Sequence, residues 1–205
     1  MNKHIGYKIY VGKPGSPGMT PTQLDKMYAL RAEIFNGRNQ WGLPLHDGLE
    51  KDTFDTAETI YVNCVDQTTD DVIACWRILP TTSDYMLNTV FADLLPQSLK
   101  IKDPNIWELS RFAVKKGLKA TSPMQASSIT RDMFNAVRGF ASKNVVTRFV
   151  TVMSPSLYRL LSSNGLTMPH VDNKSEKQRR RLGRTSCYID IDEHFHNFIG
   201  CEEER

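Results

Sequence analysis

A chain of 205 residues with 26 Lys and Arg against 23 Asp and Glu, 40% hydrophobic and 24% charged, has the composition of an ordinary globular domain with a sizeable core. Its four cysteines, Cys64, Cys75, Cys187 and Cys201, form no C-x-x-C pair, which excludes a disulfide scaffold and reads as reduced thiols in a cytoplasmic protein. No apolar run is long enough for a membrane span, no secretory pattern opens the chain, and a net charge of +3 gives no argument for nucleic acid.

In chain order, Val11 to Gly18 reads as a loop, and Pro21 to Phe35 as a helix capped by Thr20 or Thr22, with Leu24, Met27, Tyr28, Arg31, Ile34 and Phe35 at helical spacing. Thr59 to Val65 and Val72 to Leu79 are β-rich runs joined by the polar turn Asp66 to Asp71, which predicts a hairpin. Ile106 to Val114 predicts a third strand, Pro123 to Lys143 a long amphipathic helix, and Thr147 to Met153 a fourth strand. A helix over Pro155 to Ser163 has Ser154 as its cap and Asn164-Gly165 as its stop, and Thr185 to Ile191 is the last strand. This pattern predicts one α/β domain over 1–205, a mixed, largely antiparallel sheet flanked by helices, with 1–20 and 192–205 peripheral.

Charge collects in three places. Arg31-x-x-x-Phe35 and Trp41 precede Glu50-Lys51-Asp52-Thr53-Phe54-Asp55, aromatics beside acids that suit a cationic, partly apolar ligand, or an acidic surface loop beyond a core-facing helix. Arg77 lies inside an apolar strand, and a buried unpaired charge is expensive, so it needs a carboxylate such as Glu50, Asp52 or Asp55, or else a solvent-facing position. Glu108-Leu109-Ser110-Arg111 repeats the problem in the next strand, where alternation puts Glu108, Ser110 and Phe112 on one face and Leu109, Arg111 and Ala113 on the other. A desolvated Glu108 suits a general base, and equally a structural ion-pair network. Lys174 to Arg184 holds six cations and one anion, a solvated loop or a docking patch for an acidic partner.

Taken together, Arg31, Phe35, Trp41, Glu50, Asp52, Asp55, Arg77, Glu108, Ser110 and Arg111 resemble, in order and spacing, the motifs of the acyl-homoserine-lactone synthases. The likeness runs from about Leu30 to Val171. It implies a fold similar to GNAT acyltransferases, and transfer of a fatty acyl group from acyl carrier protein to the amine of S-adenosyl-L-methionine. Lactone closure and release of methylthioadenosine follow. Acyl-CoA is the other possible donor, and an acyl-CoA-dependent N-acyltransferase without lactone chemistry is the alternative reading. Glycine is sparse in Val114 to Ala120, where acetyl-CoA enzymes carry a glycine-rich loop, which agrees with a carrier-protein donor.

The resemblance also distributes roles. Arg31, Phe35, Trp41, Asp52, Asp55 and Arg111 would bind S-adenosyl-L-methionine, within a charge network of Glu50, Asp55 and Arg77. Glu108 is the first choice of base and Asp52 the second, while Arg111 orients the methionine carboxylate and an N–H near Phe112 meets the thioester oxygen. Ser110, Phe112, Thr151, Val152, Met153 and Leu157 would line the acyl pocket, with Leu109 and Met133 behind them. Thr151 suggests a 3-oxo chain. Arg159, Lys174, Lys177, Arg179, Arg180, Arg181 and Arg184 would dock the carrier protein. No metal or cofactor is expected, and His46 and His170 read as ordinary loop residues.

Overall fold

Val72–Pro80 is buried at every position but the last, as a strand covered on both faces must be, and it is the third of six in the sheet. The computed structural model describes residues 6–115 and 123–200. The strands are β1 (Tyr7–Gly12), β2 (Ile60–Asp66), β3 (Val72–Pro80), β4 (Ile106–Val114), β5 (Arg148–Met153) and β6 (Thr185–Asp190), in one sheet whose order follows the chain. β1 to β2, β2 to β3 and β5 to β6 run antiparallel, while β4 and β5 are parallel. The helices are α1 (Pro21–Ala32), α2 (Pro123–Lys143), α3 (Pro155–Ser163), α4 (Glu176–Leu182) and α5 (Glu193–Ile199). The expected mixed, mostly antiparallel sheet with helices is what forms.

Two compact units divide the chain: Met1–Ile78 with Arg111–Val137, and Leu79–Ser110 with Arg138–Arg205. In the first, Thr20 caps α1 through a reciprocal exchange with Gln23, and Pro21 supplies a preset φ. Met19, Met27, Tyr28, Leu30, Ile34 and Phe35 pack on Tyr61, Val65, Val72, Cys75 and Ala113. Trp76, one residue beyond Cys75, instead meets Phe112 (ring centroids 4.7 Å apart) and Phe134 of α2 (4.8 Å). Gly18 has φ +77°, and a Cβ there would lie 2.1 Å from the Tyr10 ring, so no other residue type fits.

In the second unit the Thr81 hydroxyl lies 2.7 Å from the Ile106 carbonyl, and Tyr85 O–H donates to that of Ile101 (2.7 Å), pinning the connection from β3 to β4. Asp172, buried, accepts from Lys174 N–H (2.8 Å), Arg179 Nε (3.1 Å) and Ser186 Oγ (3.2 Å), which ties the segment before α4 to β6. Phe195 of α5 is fully buried.

The expected strands and helices form with shifts of a residue or so, and five features differ. The first helix ends at Ala32 and continues as a π-helical turn, Glu33–Arg38. Tyr7–Gly12, expected only as periphery, pairs with β2 along its whole length. Lys174 to Arg184, expected as a loop, contains α4, and α5 was not expected at all. Simple alternation does not run through β4: Glu108, Leu109 and Ser110 are all buried, and Arg111 has φ +60°. A non-glycine residue there is strained by roughly 1–2 kcal/mol. Cys64, Cys75 and Cys187 are buried free thiols, whereas Cys201 and most of the Val114 to Ala120 segment lie outside the described residues.

Candidate active site

Three arginines and three carboxylates meet in the first unit. Arg31 of α1 donates Nε to Glu50 (2.5 Å) and its two terminal nitrogens to the two oxygens of Asp55 (2.8 and 2.9 Å), a forked pairing only a guanidinium can make. Arg77 of β3 donates to Asp52 (2.5 and 3.1 Å) and Asp55 (3.0 Å). Arg111 of β4 reaches Glu50 (2.9 Å) and Asp52 (2.8 Å). The three positive and three negative side chains balance. Arg31, Glu50 and Arg77 are at most 1% exposed, so Arg77 is not solvent-facing.

The loop that carries the acids is folded by them. Asp52 N–H donates to Asp55 Oδ2 (2.9 Å), Phe54 N–H to Asp52 Oδ1 (2.9 Å) and Glu50 N–H to the Tyr28 carbonyl (3.2 Å). Burial alone would raise the Asp55 carboxyl, but its bonds to Arg31 and the charge of Arg77 outweigh that and hold it well below the usual range. Arg111 is lowered too, but by burial, against the pull of Glu50. The side chain of Asp52 is 21% exposed, the most open of the six, and that of Arg111 follows at 9%.

Phe35, on the π-helical turn, is buried and stacks parallel on Trp41 (4.9 Å, 1°), and Trp41 is 52% exposed. Arg111 lies 5.6 Å over the Phe35 ring. Asn36 fixes the loop behind Trp41 by exchanging two 2.7 Å bonds with the backbone of Leu43. Two residues that the sequence places only in a helix face and a strand join the site: Tyr61 O–H donates to Asp55 Oδ1 (2.9 Å), and Tyr28 lies 3.2 Å from Tyr61, hydroxyl to hydroxyl.

Glu108 belongs to the second unit. It is buried, and its oxygens accept from the backbone N–H of Met86 (3.0 Å) and Leu87 (2.7 Å). Also in that unit, Ser110, Thr151 and Met153 are buried and Val152 and Leu157 half-buried, with Thr151 in register between Leu109 and Cys187. Phe112 lies in the first unit against Trp76, and Leu109 and Met133 are core. An open cleft of about 700 Å³ lies along residues 81–102, and none of the expected acyl-pocket residues lines it.

Of the docking cations, Arg159, Lys177, Arg180 and Arg181 are exposed. Arg179 turns inward to Asp172 (3.0 Å), Arg184 pairs with Asp93 (3.0 Å), Lys174 bonds the Asp93 carbonyl (2.8 Å), and Arg180 pairs with Glu176. His170 stacks on Tyr158 (4.6 Å), with Nδ1 3.0 Å from the Thr185 hydroxyl, and His46 sits in a turn bridged to Leu49. No cluster of potential metal ligands occurs among the described residues, and no helix there is long and apolar enough to cross a membrane.

With this geometry in hand, known proteins supply a match. Residues 18–195 match the family described as autoinducer synthase. An acyl-homoserine-lactone synthase of Aliivibrio fischeri is 38% identical over 181 residues, 88% of this chain and 91% of that one. The crystal structure of the acyl-homoserine-lactone synthase LasI superposes with a TM-score of 0.80 at 25% identity, covering 95% of each chain. The CoA-dependent synthase BjaI, solved with S-adenosylmethionine and isopentyl-CoA, has the same fold (TM-score 0.77, 22% identity, 95% of this chain and 90% of that one).

Proposed function

The chain belongs to the autoinducer synthase family and is an acyl-homoserine-lactone synthase, and from that premise we propose how its own groups divide the work. One observation carries the proposal: the neutral cluster of six charged side chains keeps Asp52 and Arg111 at its most open edge, beside the Phe35–Trp41 stack. S-adenosyl-L-methionine combines an ammonium, a carboxylate, a sulfonium and a flat base. Asp52 takes the ammonium, Arg111 the carboxylate, and the aromatic pair the base and sulfonium. Asp55, Glu50, Arg31 and Arg77 hold these groups in place.

The reaction has two displacements. The amine, having lost a proton, attacks the acyl thioester, an amide forms and the carrier thiol leaves. A carboxylate oxygen then attacks the carbon beside the sulfonium, that C–S bond breaks with its electrons going to sulfur, and the lactone and methylthioadenosine result. An α-amine near pH 7.7–8.0 gives up its proton without a strong base. We assign the acceptor to Asp52 acting through water. What supports it over Glu108 is access: the Asp52 side chain is the most open of its cluster, whereas Glu108 is buried. Arg111, at φ +60°, puts a strand irregularity just before Phe112, whose N–H is our candidate donor to the thioester oxygen.

We take acyl carrier protein as donor, supported by the exposed cations Arg159, Lys177, Arg180 and Arg181. The deciding assay gives the protein S-adenosyl-L-methionine with matched acyl-carrier-protein and acyl-CoA donors and identifies products by mass spectrometry. Acyl-homoserine lactone and methylthioadenosine together, made faster from the carrier, are the expected result. An acylated product without methylthioadenosine would move the chain to the N-acyltransferase reading.

The buried Thr151 hydroxyl suits a C3 oxygen that loses its water on burial, so a 3-oxo chain is our preferred substrate. Thr151→Val is expected to cut the preference for 3-oxo over plain donors about fivefold, and a wild-type preference for plain chains defeats the idea.

A further inference from the structure

The carboxylate of Asp55 is saturated by the protein. Its Oδ1 accepts from Arg31 (2.8 Å), Arg77 (3.0 Å) and Tyr61 (2.9 Å), and its Oδ2 from Arg31 (2.9 Å) and Asp52 N–H (2.9 Å). Five donors on a group with about four lone-pair sites, on a side chain with no exposed surface, leave nothing for a substrate, whereas the Asp52 side chain keeps an open edge. Asp55 is therefore a hub, and what it does to its neighbours matters more than what it binds. The neighbour at stake is Arg77, whose Nη1 is divided between Asp55 Oδ1 (3.0 Å) and Asp52 Oδ1 (2.5 Å).

Tyr61 sets that division. It faces Arg77 directly across the β2–β3 ladder, so two cross-strand neighbours grip the same oxygen. Its phenol is fully buried and, with burial the main cause and Asp55 adding to it, its acidity is suppressed, so it stays a neutral donor. A phenol has one proton, and Asp55 takes it. The 3.2 Å contact with Tyr28 is then a bond donated by Tyr28, and the order is Tyr28 to Tyr61 to Asp55. The rings meet edge to face, 6.4 Å apart at 86°, and the Arg31 guanidinium lies 5.3 Å over Tyr28, which fixes the start of the chain.

We propose that Tyr61, aligned by Tyr28, is a positioning residue for the S-adenosyl-L-methionine half of the site. By occupying Asp55 Oδ1 it limits how far Asp55 draws Arg77, and so keeps Arg77 on Asp52, the carboxylate with the open edge. Without that hydroxyl, Oδ1 pulls Arg77 closer and Asp52 loses its guide. The inference rests on the assignment of Asp52 to the substrate ammonium.

The test compares wild type, Tyr61→Phe and Tyr28→Phe by calorimetric binding of S-adenosyl-L-methionine and by steady-state kinetics with both substrates. Tyr61→Phe is expected to weaken binding of S-adenosyl-L-methionine, and to raise its KM, roughly fivefold, with the acyl-donor KM unchanged. Tyr28→Phe moves the same way by less, and it serves alone should Tyr61→Phe fail to fold. A purely structural role would lower the active fraction and leave both KM values at wild type, and that result overturns the proposal. Wild-type protein that binds no S-adenosyl-L-methionine overturns the parent reading as well. Wild-type binding with unchanged affinity in both variants overturns the positioning role alone.

Discussion

Glu108 and Asp52 divide by access: Asp52 sits at the open edge of its cluster, and Glu108 is buried. Two backbone N–H groups point at Glu108, and a glutamine there turns an NH₂ toward one of them. Leaving a buried N–H unpaired costs about 1–3 kcal/mol. Glu108→Gln is therefore expected to melt several degrees lower, at roughly 2–4 °C per kcal/mol for a chain this size, and to let the Met86 and Leu87 amides exchange faster. A variant that keeps wild-type melting and exchange but loses turnover would return the proton-accepting role to Glu108. The charged side chains of the site were legible because an arginine in an apolar strand demands a partner and few acids lay nearby. Tyr28 and Tyr61 were not, because a buried tyrosine is ordinary core until its hydroxyl is seen to face a carboxylate. The one available signal was a tyrosine in a strand whose hairpin partner carries Arg77.

Helix α4 went unread for a related reason at the next scale. None of its residues is buried, so it has no apolar stripe for periodicity to detect. Only its ends spoke: Ser175 and Gln178 form a capping box, and Gly183 closes it at φ +66°. By contrast α3, with Ser154, Pro155 and an apolar face, was read to its boundaries. The pairing of Arg179 with Asp172 also changes which cations test docking. Lys177, Arg180 and Arg181 are the informative set, because reversing Arg179 would strand the buried Asp172 carboxylate. Lys177→Glu with Arg180→Glu and Arg181→Glu is expected to raise the KM for acyl carrier protein about tenfold at low salt, at a few tenths of a kcal/mol per exposed charge. The effect fades above roughly 0.15 M, where the screening length is about 8 Å, and the KM for S-adenosyl-L-methionine stays put. A flat KM for the carrier protein would leave α4 a solvated helix and favour acyl-CoA.

For the molecule as a whole, the six-charge cluster is both the site and a part of the first unit's core. Removing one member of a buried ion network costs about 3–5 kcal/mol, because its partners stay behind. Arg77→Ala is expected to lose activity and to melt about 10 °C lower, and an unchanged melting temperature would mean the acids find other partners. The pH dependence follows from Asp55. Its carboxyl is depressed in the folded protein, so its contribution is complete above the ordinary unfolded value near 3.9 and is lost as pH falls below that. Acid unfolding beginning below about pH 4 in wild type, and blunted in Arg77→Ala, is the expected titration.

The three buried cysteines add a way to watch this molecule open. Burial pushes Cys64, Cys75 and Cys187 each up to about 12, so at pH 7 only ~10⁻⁵ of each is thiolate, the form that alkylating agents attack. Labelling then proceeds only through transient exposure, and its rate is a clock for local unfolding. Cys64 and Cys75 sit on β2 and β3 in the first unit, and Cys187 on β6 in the second. The native chain therefore carries a timer in each unit, one in the unit that holds the charge cluster and one in the unit that holds Thr151.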